Sequence, residues 1–221
     1  MQESLLKGKE KSKTEKISDA TIRRLSVYYR TLSRMEKQGI QRTTSMELAE
    51  IEGLTPVMVR KDLSFFGTFG SRGVGYDITS LKKELAVILG YNRKWGLVII
   101  GGGLFSDVLV NSQILSENNF VINKIFEKNP SLLPSGDGPI KIYPLEDLGK
   151  RLNPAEDHIA IIALPPPEVQ GVIDRLADIG VKAVIYLASR TIKVPPNMIC
   201  VNQDIFIKLG MLTYKLREQN K

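Results

Sequence analysis

The chain has 221 residues, 43% of them hydrophobic and 25% charged, and a formal net charge of +7. That composition excludes a disordered chain, no apolar run reaches the roughly 18 residues of a membrane span, and the opening MQESLLKGKEKSKTEK has no signal-peptide core. A cytoplasmic protein is expected. One cysteine, Cys200, and one histidine, His158, permit neither an internal disulfide nor a His/Cys metal cluster, and both are expected as buried strand residues.

The charge is unevenly spread. Residues 1–94 carry 18 Lys/Arg against 11 Asp/Glu, whereas residues 95–221 carry 13 against 13. A basic module joined to a neutral one points to a polyanion for the first and a different task for the second. Residues 1–16 read as a basic disordered tail. From Ser18 to about Gln38 the apolar positions Ile22, Leu25, Tyr28 or Tyr29, Leu32 and Met35 recur at three and four, an amphipathic helix capped by Ser18 or Asp19 and closed by Gly39. Thr44-Ser-Met-Glu47 then fits a capping box that opens a short helix ending at Gly53. In TPVMVRKDLSFFG, Thr55 caps a third helix, Pro56 takes its first position and Gly67 stops it.

Two short helices joined at Gly53 describe a helix-turn-helix. Val59, Leu63 and Phe66 form the inward face of the third helix, leaving Arg60, Lys61 and Ser64 for a major groove. Arginine and lysine there can read guanine or hold phosphate, and both roles stay open. The stretch GTFGSRGVGY, Gly67 to Tyr76, has four glycines around Arg72 and suits a β-hairpin wing. Thr79 to Leu89 supplies one more helix, and residues 90–94 mark a boundary.

Beyond Trp95, strands are expected at Leu97–Ile100, Val121–Glu127, Ile140–Tyr143, Ile159–Leu164, Ala183–Leu187 and Met198–Val201. Helices fall between them at Leu104–Ser116, Leu145–Leu152 and Glu168–Ile179. This alternation predicts a parallel sheet covered on both faces, with ligands at the carboxyl ends of the strands. The run IIGGGLFSDVL places Gly101, Gly102 and Gly103 where a dinucleotide fingerprint begins, and Glu127 ends the second strand where an acid accepts ribose hydroxyls. Ser106 replaces the third glycine, and Asp107 puts a negative charge near a helix N-terminus, where it favours the helix and repels a pyrophosphate. The final segment, Asp204 to Arg217, has Ile205, Leu209, Leu212 and Leu216 on one stripe. Packing on its own sheet is the default for such a helix, and exchange with a second chain is the alternative.

With both modules read, residues 17–217 resemble the Rex family of redox-sensing transcriptional repressors. The resemblance rests on VRKDLSFFGTFGSRGVGY from Val59, TIRRL from Thr21, YYRTL from Tyr28, Pro165, Lys193-Val-Pro195 and NQDIFIKL from Asn202. It implies an α/β Rossmann domain (95–203) preceded by an all-α-plus-wing, winged helix-turn-helix DNA-binding domain (17–90), and a C-terminal dimerisation helix (204–217) exchanged between subunits. It further implies a homodimer on a palindromic double-stranded operator, with NAD(H) as cofactor and no metal, membrane or catalytic role. In that scheme NADH takes the repressor off DNA.

Carried over by position, Arg60, Lys61, Ser64 and Arg72 fall on the DNA-contacting segment, and Thr44 and Ser45 where the second helix meets phosphates. Arg30, Ser112 and Asp204 fall on the family's switch and dimer positions, Ser112 where a tyrosine is usual. The cofactor positions become Gly101, Gly102, Gly103, Leu104, Phe105, Ser106, Glu127, Lys128, Leu164 and Pro165. The family's G-x-G-N-L-G is GGGLFS here, its F-D-x-D-P is Phe126-Glu-Lys-Asn-Pro130, and its N-F-A-P is Tyr186-Leu-Ala-Ser189. These departures surround one pocket, so a weakened or lost NADH response is expected. A small NAD-dependent oxidoreductase and a dimeric adaptor for another polyanion, such as RNA, are the rival readings.

Overall fold

The structure is a computed structural model that describes residues 17–70, 73–129, 140–189 and 191–219. The basic tail, Arg72 and Pro130 lie outside the described residues. Two compact units divide the chain, Met1–Asn92 and Arg93–Lys221.

The first unit is built from locally signalled helices. Helix α1 (Asp19–Lys37) starts where the Ser18 hydroxyl accepts from the Thr21 amide. Helix α2 (Ser45–Glu52) opens with the full capping box of Thr44 and Glu47 and ends at Gly53. Helix α3 (Pro56–Ser64) has Thr55 as its cap, and α4 (Ile78–Leu89) is capped by Asp77 and closed by Gly90. Leu25, Tyr28, Leu32, Leu48, Val59 and Leu85 are fully enclosed between these helices. Each buried large apolar side chain stabilises the unit by roughly 1.5–3 kcal/mol, the main force holding four short helices together.

The small sheet corrects the expected hairpin within Gly67–Tyr76. Strand β2 (Tyr76–Asp77) pairs antiparallel with β1 (Arg42–Thr43), a segment that precedes α2, in the register Arg42 to Asp77 and Thr43 to Tyr76. Gly75 explains the crossing: at φ +78 its Cα passes so close to β1 that a Cβ would stand 2.4 Å from the Thr43 carbonyl oxygen. Only glycine permits that approach.

The second unit carries six parallel strands: β3 (Trp95–Gly101), β4 (Phe120–Glu127), β5 (Lys141–Pro144), β6 (Ile159–Ala163), β7 (Ala183–Tyr186) and β8 (Ile199–Asn202). Their order is β5-β4-β3-β6-β7-β8, with every neighbouring pair parallel. The chain thus runs outward from β3 to one edge, returns to β6 and runs to the other edge. This is the doubly wound Rossmann order, with its switch point between β3 and β6. Helix α8 (Pro166–Ile179) covers one face through Val169, Ile173 and Leu176, over Val98, Ile100 and Ile162. On the other face, among the described residues, Leu109 and Val110 pack over Ile99 and Ile125.

Two expectations are corrected, and one of two alternatives falls away. The helix expected over Leu104–Ser116 is two pieces, α5 (Leu104–Val110) and α6 (Gln113–Glu117). At the break the Asn111 side-chain amide donates to the Asp107 carbonyl at 2.8 Å, a local bond of the kind that competes with helix continuation. Cys200 and His158 are half-buried rather than buried: Cys200 is on the edge strand β8, and His158 stands one residue ahead of β6, its Nδ1 accepting from the Gly96 amide at 2.9 Å. Finally, α9 (Ile205–Gln219), after the short α7 (Leu148–Arg151), does not fold back on its own sheet: each of its residues is exposed, Phe206 by 73%.

Candidate nucleic-acid interface and nucleotide crevice

Helix α3 sorts its residues by face. Val59 and Leu63 are buried among the helices, as is Asp62, while Arg60, Lys61 and Ser64 are exposed. Neighbouring α2 begins at Ser45, whose hydroxyl accepts from the Arg60 guanidinium at 2.9 Å. The structure therefore brings Arg60 and Ser45 together. The Ser64 hydroxyl turns back to the Lys61 carbonyl at 2.7 Å. Thr44 is differently employed, because its hydroxyl accepts from the Glu47 amide and the Glu47 carboxylate accepts from the Thr44 amide and the Thr43 hydroxyl. Those bonds, the Thr44 amide first, hold the Glu47 carboxyl below the usual carboxylate range.

Sequence reasoning missed two partners here. The Tyr76 phenol is buried beside Ser45 and Arg60. Burial raises its pKa, while the Arg60 charge and the Ser45 hydroxyl act against that rise. Asp62 accepts from Arg24 Nε and Nη2, both at 2.6 Å, and from the Tyr28 hydroxyl at 2.9 Å. Burial alone would raise this carboxyl, but the Arg24 and Tyr28 hydrogen bonds more than reverse it, and it titrates below the usual range. A charged residue between Val59 and Leu63 on an apolar stripe was the available signal.

At the carboxyl edge of the second unit, β3 ends in the glycine turn. Gly101, at φ +74, lies so close to the strand-β6 end that a Cβ would meet Leu164 Cδ2 at 2.5 Å and the Ala163 carbonyl oxygen at 2.7 Å. Around Gly103 a Cβ would meet nothing within 4 Å, so the turn leaves open space for a close-approaching ligand. The Gly103 amide donates to Glu127 Oε1 at 2.7 Å, which ties the acid at the end of β4 to the turn. Ser106 is wholly enclosed, and its hydroxyl donates to the Gly101 carbonyl at 3.2 Å. The serine that stands for the third glycine is thus absorbed between helix and strand. Asp107 is partly exposed in the first turn of α5.

Lys128, just past β4, pairs at 2.6 Å with Glu168 in the first turn of α8, after β6. Leu164 is buried beneath the turn, and exposed Pro165 precedes α8. Gly102 lies within the turn and Leu104 and Phe105 open α5. Ser112 is not brought to this edge: it sits at the break between α5 and α6 and lines a separate cleft of about 630 Å3 with Leu109, Leu115, Val121 and Ile122. Asp204, ahead of α9, accepts from the Ser189 hydroxyl and the Phe206 amide, both at 2.8 Å. Exposed Arg30 belongs to the other unit. No group of three or more His, Cys, Asp or Glu among the described residues could hold a metal ion.

Known proteins match over most of the chain. Residues 16–64 match the family model "Putative DNA-binding protein N-terminus", and residues 92–189 match that of the CoA binding domain. The redox-sensing transcriptional repressor Rex of Syntrophomonas wolfei is 36% identical over 209 residues, covering 95% of this chain and all of that one. Rex of Thermus thermophilus is 36% identical over 203 residues, 91% of this chain and 94% of its own. A crystal structure of RSP with β-NAD+ and operator DNA superposes with a TM-score of 0.83 at 31% identity, covering 92% of this chain and 94% of that one. RSP with β-NADH matches at 0.81 and 29% identity, covering 92% and 96%. The curated relatives are repressors, not enzymes, which removes the oxidoreductase reading.

Proposed function

Since the chain belongs to the Rex family of redox-sensing transcriptional repressors, we propose that its first unit binds operator DNA, its second binds NAD(H), and the working form is a homodimer. The observation that carries the reading is α3, which buries Val59, Asp62 and Leu63 and leaves Arg60, Lys61 and Ser64 exposed on a short capped helix. A helix so presented fits a major groove, with arginine able to pair with guanine O6 and N7 and lysine able to neutralise phosphate. Thr44 and Ser45 at the start of α2 extend the same surface toward the DNA backbone, and the glycine-rich sequence around Arg72 makes that residue the candidate for the minor groove.

The residues of the crevice fit a dinucleotide. Gly101 makes the tight turn, Gly103 leaves space above it, and the Gly103 amide fixes the Glu127 carboxylate, which supplies an acceptor for ribose hydroxyls. When bound, NAD(H) supplies the redox state that the repressor reads. Gly102, Leu104, Phe105, Ser106, Lys128, Leu164 and Pro165 complete the family's cofactor positions. The response to NADH is weakened rather than lost, because Ser106 is absorbed at the strand while Asp107 adds a negative charge to the first turn of α5.

Helix α9 supports the dimer. At about 100° per residue, Ile205, Leu209, Leu212 and Leu216 share one side, while Ile207, Met211 and Tyr214 share the opposite one, and all are exposed. A helix apolar on two sides is built to be enclosed, and a second subunit is the enclosure that the family scheme provides. Arg30, Ser112 and Asp204 are its switch and dimer positions. The test is a fluorescence titration of a palindromic duplex with the full chain, with and without NADH, against RNA of equal length. Preference for the duplex, relieved by NADH, is expected, and equal affinity for RNA overturns the reading.

A further inference from the structure

We infer that Asp62 is the positioning residue of the recognition helix, setting through Arg24 and Tyr28 the rotation at which Arg60, Lys61 and Ser64 face DNA. The inference rests on the DNA-binding reading of α3. Asp62 occupies a place in the apolar stripe of that helix and is 2% exposed. Its oxygens receive three directional bonds from α1: Arg24 Nε and Tyr28 Oη on Oδ2, and Arg24 Nη2 on Oδ1. Arg24 Nη2 also donates to the Thr21 hydroxyl, which is hydrogen-bonded to the Ser18 cap of α1. One network therefore runs from the start of the longest helix of the unit to the last turn of α3.

Stability alone gives little reason for a carboxylate here. A well-packed apolar group at a buried ion-pair position is often as stable or more so. What leucine cannot supply is direction: apolar contacts let a short helix roll or slide at little cost, whereas a two-point guanidinium fork fixes the angle of what it holds. The geometry makes that angle matter. Asp62 lies roughly 160° around the helix from both Arg60 and Ser64 and roughly 100° from Lys61, so it anchors the side away from the exposed trio. A roll of about 10° moves a group ~6 Å from the axis by about 1 Å. Hydrogen bonds to a base edge tolerate only a few tenths of an ångström.

The test uses the full chain and a duplex that the unaltered protein selects from a random library, compared with a scrambled duplex of the same length. Arg24→Lys keeps the charge and removes the fork, and Asp62→Asn keeps the shape and removes the charge. At a temperature where melting curves show both variants folded, affinity for the selected duplex should fall about tenfold, the loss of one base contact, with scrambled binding within about twofold. Arg60→Ala should then cost far less in the Arg24→Lys background than alone, since the contact is already misplaced. Equal losses on both duplexes, or losses additive with Arg60→Ala, overturn the inference. An unaltered protein that prefers no duplex overturns the DNA-binding reading itself.

Discussion

Replacing Ser106 by glycine restores the third glycine of the dinucleotide fingerprint, and the structure indicates that this reversion costs stability without improving the pocket. Ser106 is fully buried, and its hydroxyl donates to the Gly101 carbonyl at 3.2 Å. Losing that bond removes about 1–1.5 kcal/mol, and a glycine inside α5 costs roughly another 0.5 kcal/mol relative to serine. The total, about 2 kcal/mol, lowers the melting temperature of the second unit by roughly 7 °C at its size. Ser106→Ala loses the bond but gains roughly 0.5 kcal/mol of helix propensity, and should fall about half as far. Calorimetric titration with NADH completes the assay. Because the hydroxyl points at the strand end, affinity in Ser106→Gly should stay within about threefold, under 1 kcal/mol. A tenfold gain in NADH affinity, or a melting temperature unchanged to about a degree, would refute this reasoning, because the serine would then be obstructing the cofactor.

Arg60→Ala should weaken operator binding by about 1–3 kcal/mol, more than random duplex, if it reads a guanine; equal loss in a gel-shift titration assigns it to phosphate. Glu127→Gln should reduce NADH affinity and narrow the preference over the 2′-phosphorylated dinucleotide, since like charges about 4 Å apart repel by ~1–4 kcal/mol; competition calorimetry checks both effects. The Asp62 carboxyl lies below its unfolded value, so its contribution is present above that value and is lost as pH falls through the lower folded one. Acid unfolding of the first unit should therefore steepen below about pH 4, and Asp62→Asn should flatten it in a circular-dichroism titration. Removing residues 205–219 should leave a monomer by light scattering, and a persisting dimer would place the interface elsewhere.

The sequence by itself determined what acts within one turn of chain or one strand. The Thr44 and Glu47 box, Thr55 with Pro56, and Gly53 set the helix boundaries because a cap and the amide it satisfies are three residues apart. The central strand segments were legible because burial on both faces of a parallel sheet demands apolar runs, whereas the edge strands β5 and β8 are only partly buried. Arg60, Lys61 and Ser64 could be placed on one exposed face by helical period alone. Charge told the two modules apart.

Only the tertiary structure decided what pairs distant segments. The strand order β5-β4-β3-β6-β7-β8 is a choice among apolar segments of similar character. The partner of β2 lies more than thirty residues upstream, a pairing that loop composition does not encode. Asp62 meets Arg24 across 38 positions, and Glu127 meets the Gly103 amide across 24. In sequence Ser106 breaks the glycine fingerprint, whereas in the fold its hydroxyl has an acceptor at the strand end. The apolar stripe of α9 showed that the helix needs covering, but hydrophobic burial is non-directional and does not say which surface covers it. The fold withholds its own sheet from that role, leaving the helix exposed along its whole length.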